Sequence, residues 1–148
     1  MGSPYTDPSV LLAAFAIFWF GGAALISRIA GWHALSALYP APLHLRGEEL
    51  RFCNATVGTA TFPLTYRRCV RVLLSEQGLG LCLMFPFRFH SPPFMVPWSA
   101  VGSCTESQTL ATRKVTFSFA GTSRHVTFAG PLGQAVIAKY MGAAASAA

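Results

Sequence analysis

A chain of 148 residues allows one hydrophobic core, or one core together with a membrane segment. The chain is 53% hydrophobic and only 11% charged, whereas soluble domains carry about 25% charged residues on average, which excludes an ordinary, fully hydrated surface. Its formal net charge of +6 comes from scattered basic residues that accompany no nucleic-acid motif, so we expect no nucleic-acid binding.

The first predicted element is a membrane-spanning helix. The run PSVLLAAFAIFWFGGAALIS between Asp7 and Arg28 carries no charge, and its length matches a bilayer core of about 30 Å. We predict a transmembrane helix over residues 9–30, after a short extracytoplasmic tail of residues 1–8. A cleaved signal peptide would begin with basic residues, which MGSPYTDP lacks. A buried soluble helix would have to enclose the bulky side chains of Phe15, Phe18, Trp19 and Phe20.

Basic residues at the end of this helix and after it predict its orientation. They are Arg28, His33, Arg46 and Arg51. Because positively charged flanks remain in the cytoplasm, the domain should face the cytoplasm and the acidic tail should cross. We therefore predict a single-pass protein of the cell inner (plasma) membrane.

Residues 31–42 are predicted to form an interfacial segment and a linker. Trp32 and Tyr39 suit the headgroup layer. Pro40 and Pro42 then end the short helix and begin the linker.

Four cysteines follow, and a cytoplasmic domain would keep them reduced. They are Cys53, Cys69, Cys82 and Cys104. None forms a CxxC pair, and their spacing fits no zinc ligand set. We expect reduced thiols that pack as small apolar groups.

The remaining chain has the alternation of short strands. CVRVLLS and LGLCLMF, joined at EQG, predict a β-hairpin in which Gly78 supplies a positive φ. KVTFSF and RHVTF predict a second hairpin with one wet face. An earlier pair is predicted through ELRFCNATVG and ATFPLTY, and FMVPWSAV reads as an edge strand because of Pro97.

A C-terminal helix is predicted to close the ordered domain, which spans residues 43–142. Pro131 fits its first turn, and Leu132, Val136 and Tyr140 share one face. Gly142 is a suitable stop. The last residues, 143–148, are predicted to be a disordered tail. The fold class is therefore a transmembrane α-helix followed by a mainly-β domain of about six or seven antiparallel strands and a C-terminal α-helix.

Several short motifs resemble those of uncharacterised small bacterial membrane proteins, which pair one N-terminal transmembrane helix with a β domain carrying an "HPP…IPW" stretch. The matching residues are Gly31-Trp32, Leu35, Tyr39-Pro40, Gly78-Leu79, Leu81, Phe87-Arg88-Phe89-His90, Pro92-Pro93 and Pro97-Trp98-Ser99. Here Ser91 separates His90 from Pro92, and Val96 stands where isoleucine is commoner. The arrangement also resembles the pleckstrin-homology-like (PH-like) sandwich or barrel, which implies a scaffold for lipid or protein contacts but assigns no catalytic residue.

Two sets of candidate binding residues emerge from the chain. Arg67, Arg68, Arg71 and Arg88 are candidates for contact with anionic lipid headgroups, each worth about 1 kcal/mol near a charged leaflet. Trp98 is most simply a large core filler or corner plug, and His90, Pro92, Pro93 and Trp98 are also candidates for docking a membrane protein partner.

The function predicted from these features is that of a membrane-anchored, non-catalytic interaction module. We expect no cofactor and no metal, because His33, His44, His90 and His125 lack ligand spacing, and no catalytic motif is present. The alternatives are a small thiol-dependent enzyme built on Cys82, His90 or Cys104, and an accessory subunit of a larger membrane complex.

Overall fold

The computed structural model describes residues 7–42 and 46–147, so the predicted tail residues 1–6, the start of the predicted domain at residues 43–45 with His44, and Ala148 lie outside the described chain. The helices are α1 (Pro8–Ile29), α2 (Trp32–Leu38) and α3 (Pro131–Ala147). The strands are β1 (Glu48–Gly58), β2 (Pro63–Leu74), β3 (Gly78–Leu83), β4 (Phe94–Pro97), β5 (Val101–Thr109), β6 (Thr112–Phe119) and β7 (His125–Ala129). Two short 3₁₀ helices, Phe87–His90 and Trp98–Ala100, flank β4. The predicted order of a long apolar helix, seven antiparallel strands and a C-terminal helix is confirmed.

Helix α1 begins with a side-chain cap and stays largely exposed. Asp7 Oδ1 accepts hydrogen bonds from Ser9 N at 3.0 Å and Ser9 Oγ at 2.7 Å, and these bonds lower the pKa of the Asp7 carboxyl. Pro8 occupies the first turn, where its missing N–H costs nothing. Within residues 7–42 and 46–147, α1 is the one helix long and apolar enough to cross a membrane by length and composition, with a mean hydropathy of 2.2.

Helix α2 follows a sharp turn and packs inside the β domain. Gly31 makes the turn at φ 83°, and a Cβ there would overlap the Arg124 side chain. Trp32 and Leu35 are completely buried, and the Trp32 ring lies edge-on to Phe94 with centroids 4.9 Å apart. The prediction that Trp32 lies in a headgroup layer is therefore wrong, because the short helix folds its apolar face onto the sheet.

One antiparallel sheet contains all seven strands in the order β4-β3-β2-β1-β7-β6-β5. Both predicted hairpins are confirmed as β2–β3 and β6–β7. Phe94 on one edge strand and Phe119 near the other edge belong to the same buried cluster, so the sheet curls around a single core. Pro97 lies on edge strand β4, as predicted. Gly78, however, has no positive φ; it is required because a Cβ would meet the Val96 carbonyl oxygen.

Two irregular positions bend the central strands β1 and β2. Phe52 and Arg68 have positive φ values of 57° and 53°, and the strand register shifts beside each of them. The Arg68 amide donates to Asn54 Oδ1 at 2.7 Å, which satisfies a donor that the ladder leaves free. ATFPLTY and CVRVLLS, predicted as separate strands, are consequently two parts of one bulged strand.

Helix α3 covers one end of the core and is longer than predicted. Val136 is buried, and Leu132 and Tyr140 pack half-buried against the core, as their spacing indicated. The helix continues to Ala147 instead of ending at Gly142, so the prediction of a disordered tail over residues 143–148 is corrected for the described part. Alanine has the highest helix propensity, which explains the continuation through AAASA.

Candidate functional site

The 3₁₀ segment Phe87–His90 packs against the C-terminal half of α1. The Phe87 ring lies 6.0 Å from Trp19 between centroids, and the Phe89 ring lies 6.0 Å from Phe20 at a steep angle. The His90 ring also contacts Phe20, at 6.4 Å. These contacts make the segment a docking surface for the apolar helix.

Buried hydroxyl groups complete this junction. Ser27 Oγ, in α1, donates to the His90 carbonyl at 2.9 Å, and Ser91 Oγ donates to Ser27 Oγ at 3.0 Å. Both serines are almost fully buried. Trp32 Nε1 donates to the Pro92 carbonyl at 2.8 Å, which ties the same segment to α2. The apolar helix and the β domain are therefore joined by directional bonds as well as ring contacts.

Arg71 and Arg88, two of the predicted headgroup ligands, line a shared groove. With Arg51 they line a groove of about 500 Å³ whose apolar lining includes Phe85 and Phe89. A second groove, of about 320 Å³, is lined by Arg28, His33, Arg88, Phe89, His90 and other residues of α1 and the following loop. Arg88 lies in both grooves. We call the cations Arg28, Arg51, Arg71 and Arg88 the basic collar.

One carboxylate partly neutralises the basic collar. Glu49 Oε1 lies 2.8 Å from Arg51 Nε and 2.8 Å from Arg71 Nε. The hydrogen bond from Arg51, followed by the charges of both guanidiniums, lowers the pKa of the Glu49 carboxyl. Arg28 and Arg88 have no carboxylate partner in the described chain. The collar therefore retains positive charge available for an anion.

Arg67 and Arg68, the other predicted headgroup ligands, lie on a different surface. Both line a groove of about 810 Å³ on the outer face of β2, β1, β7 and β6, where Lys114 and His125 are also found. No acidic residue lines this groove. The positive φ at Arg68 interrupts strand alternation, which separates Arg67 and Arg68 from Arg71. The four arginines are thus divided between two places.

An apolar groove of about 420 Å³ separates α1 from β2. Phe18, Trp19, Leu64 and Leu83 are among the residues that line it, and Arg67 is its one charged lining residue. Tyr66 also lines this groove, but its hydroxyl is buried without a hydrogen-bond partner. Burial raises the pKa of Tyr66 to about 12.

The predicted partner-docking residues do not form one exposed surface. His90 and Pro92 are exposed and Pro93 is half-buried, all close to the base of α1. Trp98 is only 8% exposed, and its Nε1 donates to the Ser75 carbonyl at 3.0 Å. It also packs on Tyr140 of α3 with ring centroids 5.8 Å apart. This environment favours the interpretation of Trp98 as a core filler.

The two cysteines considered as possible nucleophiles lie on strands that are far apart in the order of the sheet. Cys82 lies on β3 and Cys104 on edge strand β5, at the opposite end of the sheet order. Burial, with the nearby Glu106 charge, raises the pKa of the Cys104 thiol, which disfavours the reactive thiolate. Over residues 7–42 and 46–147, no three His, Cys, Asp or Glu side chains are grouped to hold a metal ion.

Sequence reasoning missed Arg28, Arg51 and the serine pair as parts of this site. Arg28 and Arg51 had been noted only as flanking charges, whereas two other features carried a signal. Ser27 is a polar residue at the end of an otherwise apolar run, and FRFH alternates aromatic and basic residues. Such alternation is typical of surfaces at a membrane boundary, where aromatic rings and cations occupy neighbouring levels.

Comparison with known proteins gives a structural neighbour only. No protein-family model and no curated protein matches the sequence. Among solved structures, the chain is similar to one described as "Vps36 N-terminal PH domain", with 12% identity and a TM-score of 0.45, covering 67% of this chain and 84% of that chain. The predicted kinship with bacterial membrane proteins is not addressed by these findings.

Proposed function

We propose that the chain is a membrane-anchored, non-catalytic interaction module whose basic collar contacts anionic lipid headgroups. The observation that carries this proposal is that two cations of the collar, Arg28 and Arg88, line one groove at the C-terminal end of the apolar helix α1, and that Arg88 also lines the groove of Arg51 and Arg71. When α1 occupies a bilayer, the collar lies at the level of the headgroups on the same leaflet.

The pairing of Glu49 with other arginines of the collar supports the role of Arg88 as the principal headgroup ligand. Glu49 is paired with Arg51 and Arg71 and reduces their attraction for an anion. Arg88 is exposed and lines the grooves on both sides of its segment. Arg67, next to the α1–β2 groove, extends the proposed contact around the helix, whereas Arg68 faces the outer sheet.

The proposed location is the inner (plasma) membrane of a bacterial cell, with one pass and the β domain in the cytoplasm. The excess of Arg over acidic residues after α1 supports this orientation. Extraction of membranes with alkaline carbonate should leave the full chain in the pellet. A C-terminal reporter that is active only on the cytoplasmic side should be active, and activity of a periplasm-only reporter would contradict the orientation.

Headgroup contact is tested with the full chain reconstituted in nanodiscs that contain phosphatidylcholine and a minor fraction of fluorescently labelled phosphatidylglycerol. Energy transfer from the native tryptophans reports local enrichment of the anionic lipid. Arg88→Gln should lower the apparent affinity for that lipid about fivefold, the equivalent of about 1 kcal/mol per cation.

The matched control is Arg113→Gln, which removes an exposed cation from β6 on the far hairpin. Its lipid enrichment should equal that of the unmodified protein. Equal enrichment in the Arg88 and Arg113 variants would refute headgroup contact by the collar while leaving the anchor intact.

A further inference from the structure

We infer that residues 85–90, which we call the aromatic loop, insert below the headgroups and form a second membrane contact beside α1. This inference rests on the proposed membrane anchoring of α1 and adds to it a lipid-embedded part of the β domain. The ligand is the acyl-chain region of the same leaflet.

Helix length fixes the depth of the aromatic loop. Helix α1 has 22 residues, which is about 33 Å at 1.5 Å per residue, and the hydrocarbon core is about 30 Å thick. Nearly the whole helix is therefore needed to cross. Phe20 lies seven residues before Ser27, or about 10 Å along the axis, so Phe20 lies within the hydrocarbon. Phe89 packs directly on Phe20 and must lie at a similar depth.

Exposure of the loop is consistent with a lipid environment. Phe85 is 79% exposed and Phe89 is 62% exposed, and their rings contact each other with centroids 5.7 Å apart. Through Phe89 these two rings continue the exposed aromatic surface of α1 at Phe20, which is 45% exposed. Contiguous exposed aromatic surface rimmed by cations marks a membrane-interaction site in a protein of this kind.

Part of the backbone of the loop and of the residues after it is hydrogen-bonded within the protein, which lowers the cost of a lipid environment. Pro86, Pro92 and Pro93 carry no N–H. The amides of Phe87 and Ser91 donate to the carbonyls of Met84 and Arg88, at 3.0 and 3.3 Å. The carbonyls of His90 and Pro92 accept from the side chains of Ser27 and Trp32.

Arg88 is compatible with insertion because its side chain is long. It is exposed and lies in the grooves lined by Arg28 on one side and Arg51 and Arg71 on the other. The guanidinium can extend to the headgroups while the neighbouring rings of Phe87 and Phe89 remain among acyl chains.

The test places one photoreactive diazirine analogue of phenylalanine in the full chain, reconstituted in vesicles of phosphatidylcholine and phosphatidylglycerol. The analogue replaces Phe85 or Phe89 in two proteins. A third protein carries it at Phe18, which reports whether α1 is in lipid. A fourth carries it at Leu110, a fully exposed residue between β5 and β6. Mass spectrometry counts lipid adducts after illumination, and circular dichroism verifies the fold of each protein.

We expect lipid adducts at positions 18, 85 and 89 and only background at position 110. Adducts at position 18 alone would overturn the inserted loop and leave the anchor standing. Absence of adducts at position 18 would overturn the membrane anchor and the inference together. Adducts at position 110 equal to those at 85 and 89 would also overturn the inference, because the loop would then have no preference for lipid.

Discussion

Replacing Trp32 with Phe tests whether α2 belongs to the core of the β domain. The Trp32 side chain is fully buried, and its ring centroid lies 4.9 Å from that of Phe94 and 5.3 Å from that of Tyr66. Its Nε1 donates to the Pro92 carbonyl at 2.8 Å. Phenylalanine keeps an aromatic ring but removes the donor and part of the ring volume.

The expected cost follows from these two losses. A net hydrogen bond contributes about 1 kcal/mol. Removing a whole buried Trp or Phe side chain costs about 3–5 kcal/mol, so loss of part of the indole should cost about 1–2 kcal/mol. Trp32→Phe should therefore lower the free energy of unfolding by about 2–3 kcal/mol.

The matched control is Trp19→Phe, the same chemical change at a side chain that is 39% exposed and donates no hydrogen bond in the described chain. Its cost should be within about 0.5 kcal/mol. Urea unfolding of the full chain in detergent micelles, followed by the strand signal in circular dichroism, measures both variants. An equal, small effect of the two substitutions would refute the core position of Trp32 and favour the headgroup position that the sequence suggested.

Two further predictions concern buried hydroxyl groups. The Tyr66 pKa rises from 10.0 to about 12 on folding, so the folded state holds its proton more tightly and stability should fall as the pH rises from about 10 through about 12. Tyr66→Phe should remove this alkaline loss, and an identical pH profile of unfolding in both proteins would contradict the assignment. Ser75 Oγ accepts from the amides of Gln77 and Gly78, so Ser75→Ala should cost about 1–3 kcal/mol in thermal or urea unfolding. Ser107→Ala, on an exposed strand, should change stability by less than about 0.5 kcal/mol, and equal costs would show that the turn does not depend on the hydroxyl.

Alternation predicted those strands that have one buried face. Val70, Val72 and Leu74 point to the core, as do Val115 and Phe117. Strand β5 was missed because almost none of its residues is buried: VGSCTESQT lies on a sheet edge and shows no apolar alternation. The total number of strands agreed with the prediction only because β2 had been divided into two.

Bulges and long-range packing account for most of the remaining differences. The left-handed conformation of Arg68 has no signal in the residue type, since Gly and Asn are the usual residues there. Tryptophan is a common residue at membrane interfaces. Trp32 is buried because it contacts Tyr66, Pro92 and Phe94, which are distant in the sequence. For the candidate site, Arg67, Arg68, Arg71 and Arg88 were grouped on sequence spacing, but only Arg71 and Arg88 line shared grooves, because the irregular backbone at Arg68 separates Arg67 and Arg68 from them.

The hydrogen bond from Ser27 to the His90 carbonyl has a consequence for how the domain would approach a target. A domain on a flexible tether swivels freely and loses that rotational freedom each time it engages a surface. Here a buried hydrogen bond joins the helix to the β domain. The orientation of the sheet relative to the membrane would therefore be set once, when the helix inserts. Each later binding event would begin from the same orientation of the domain, so that the groove lined by Arg67 and Arg68 always faces the same direction.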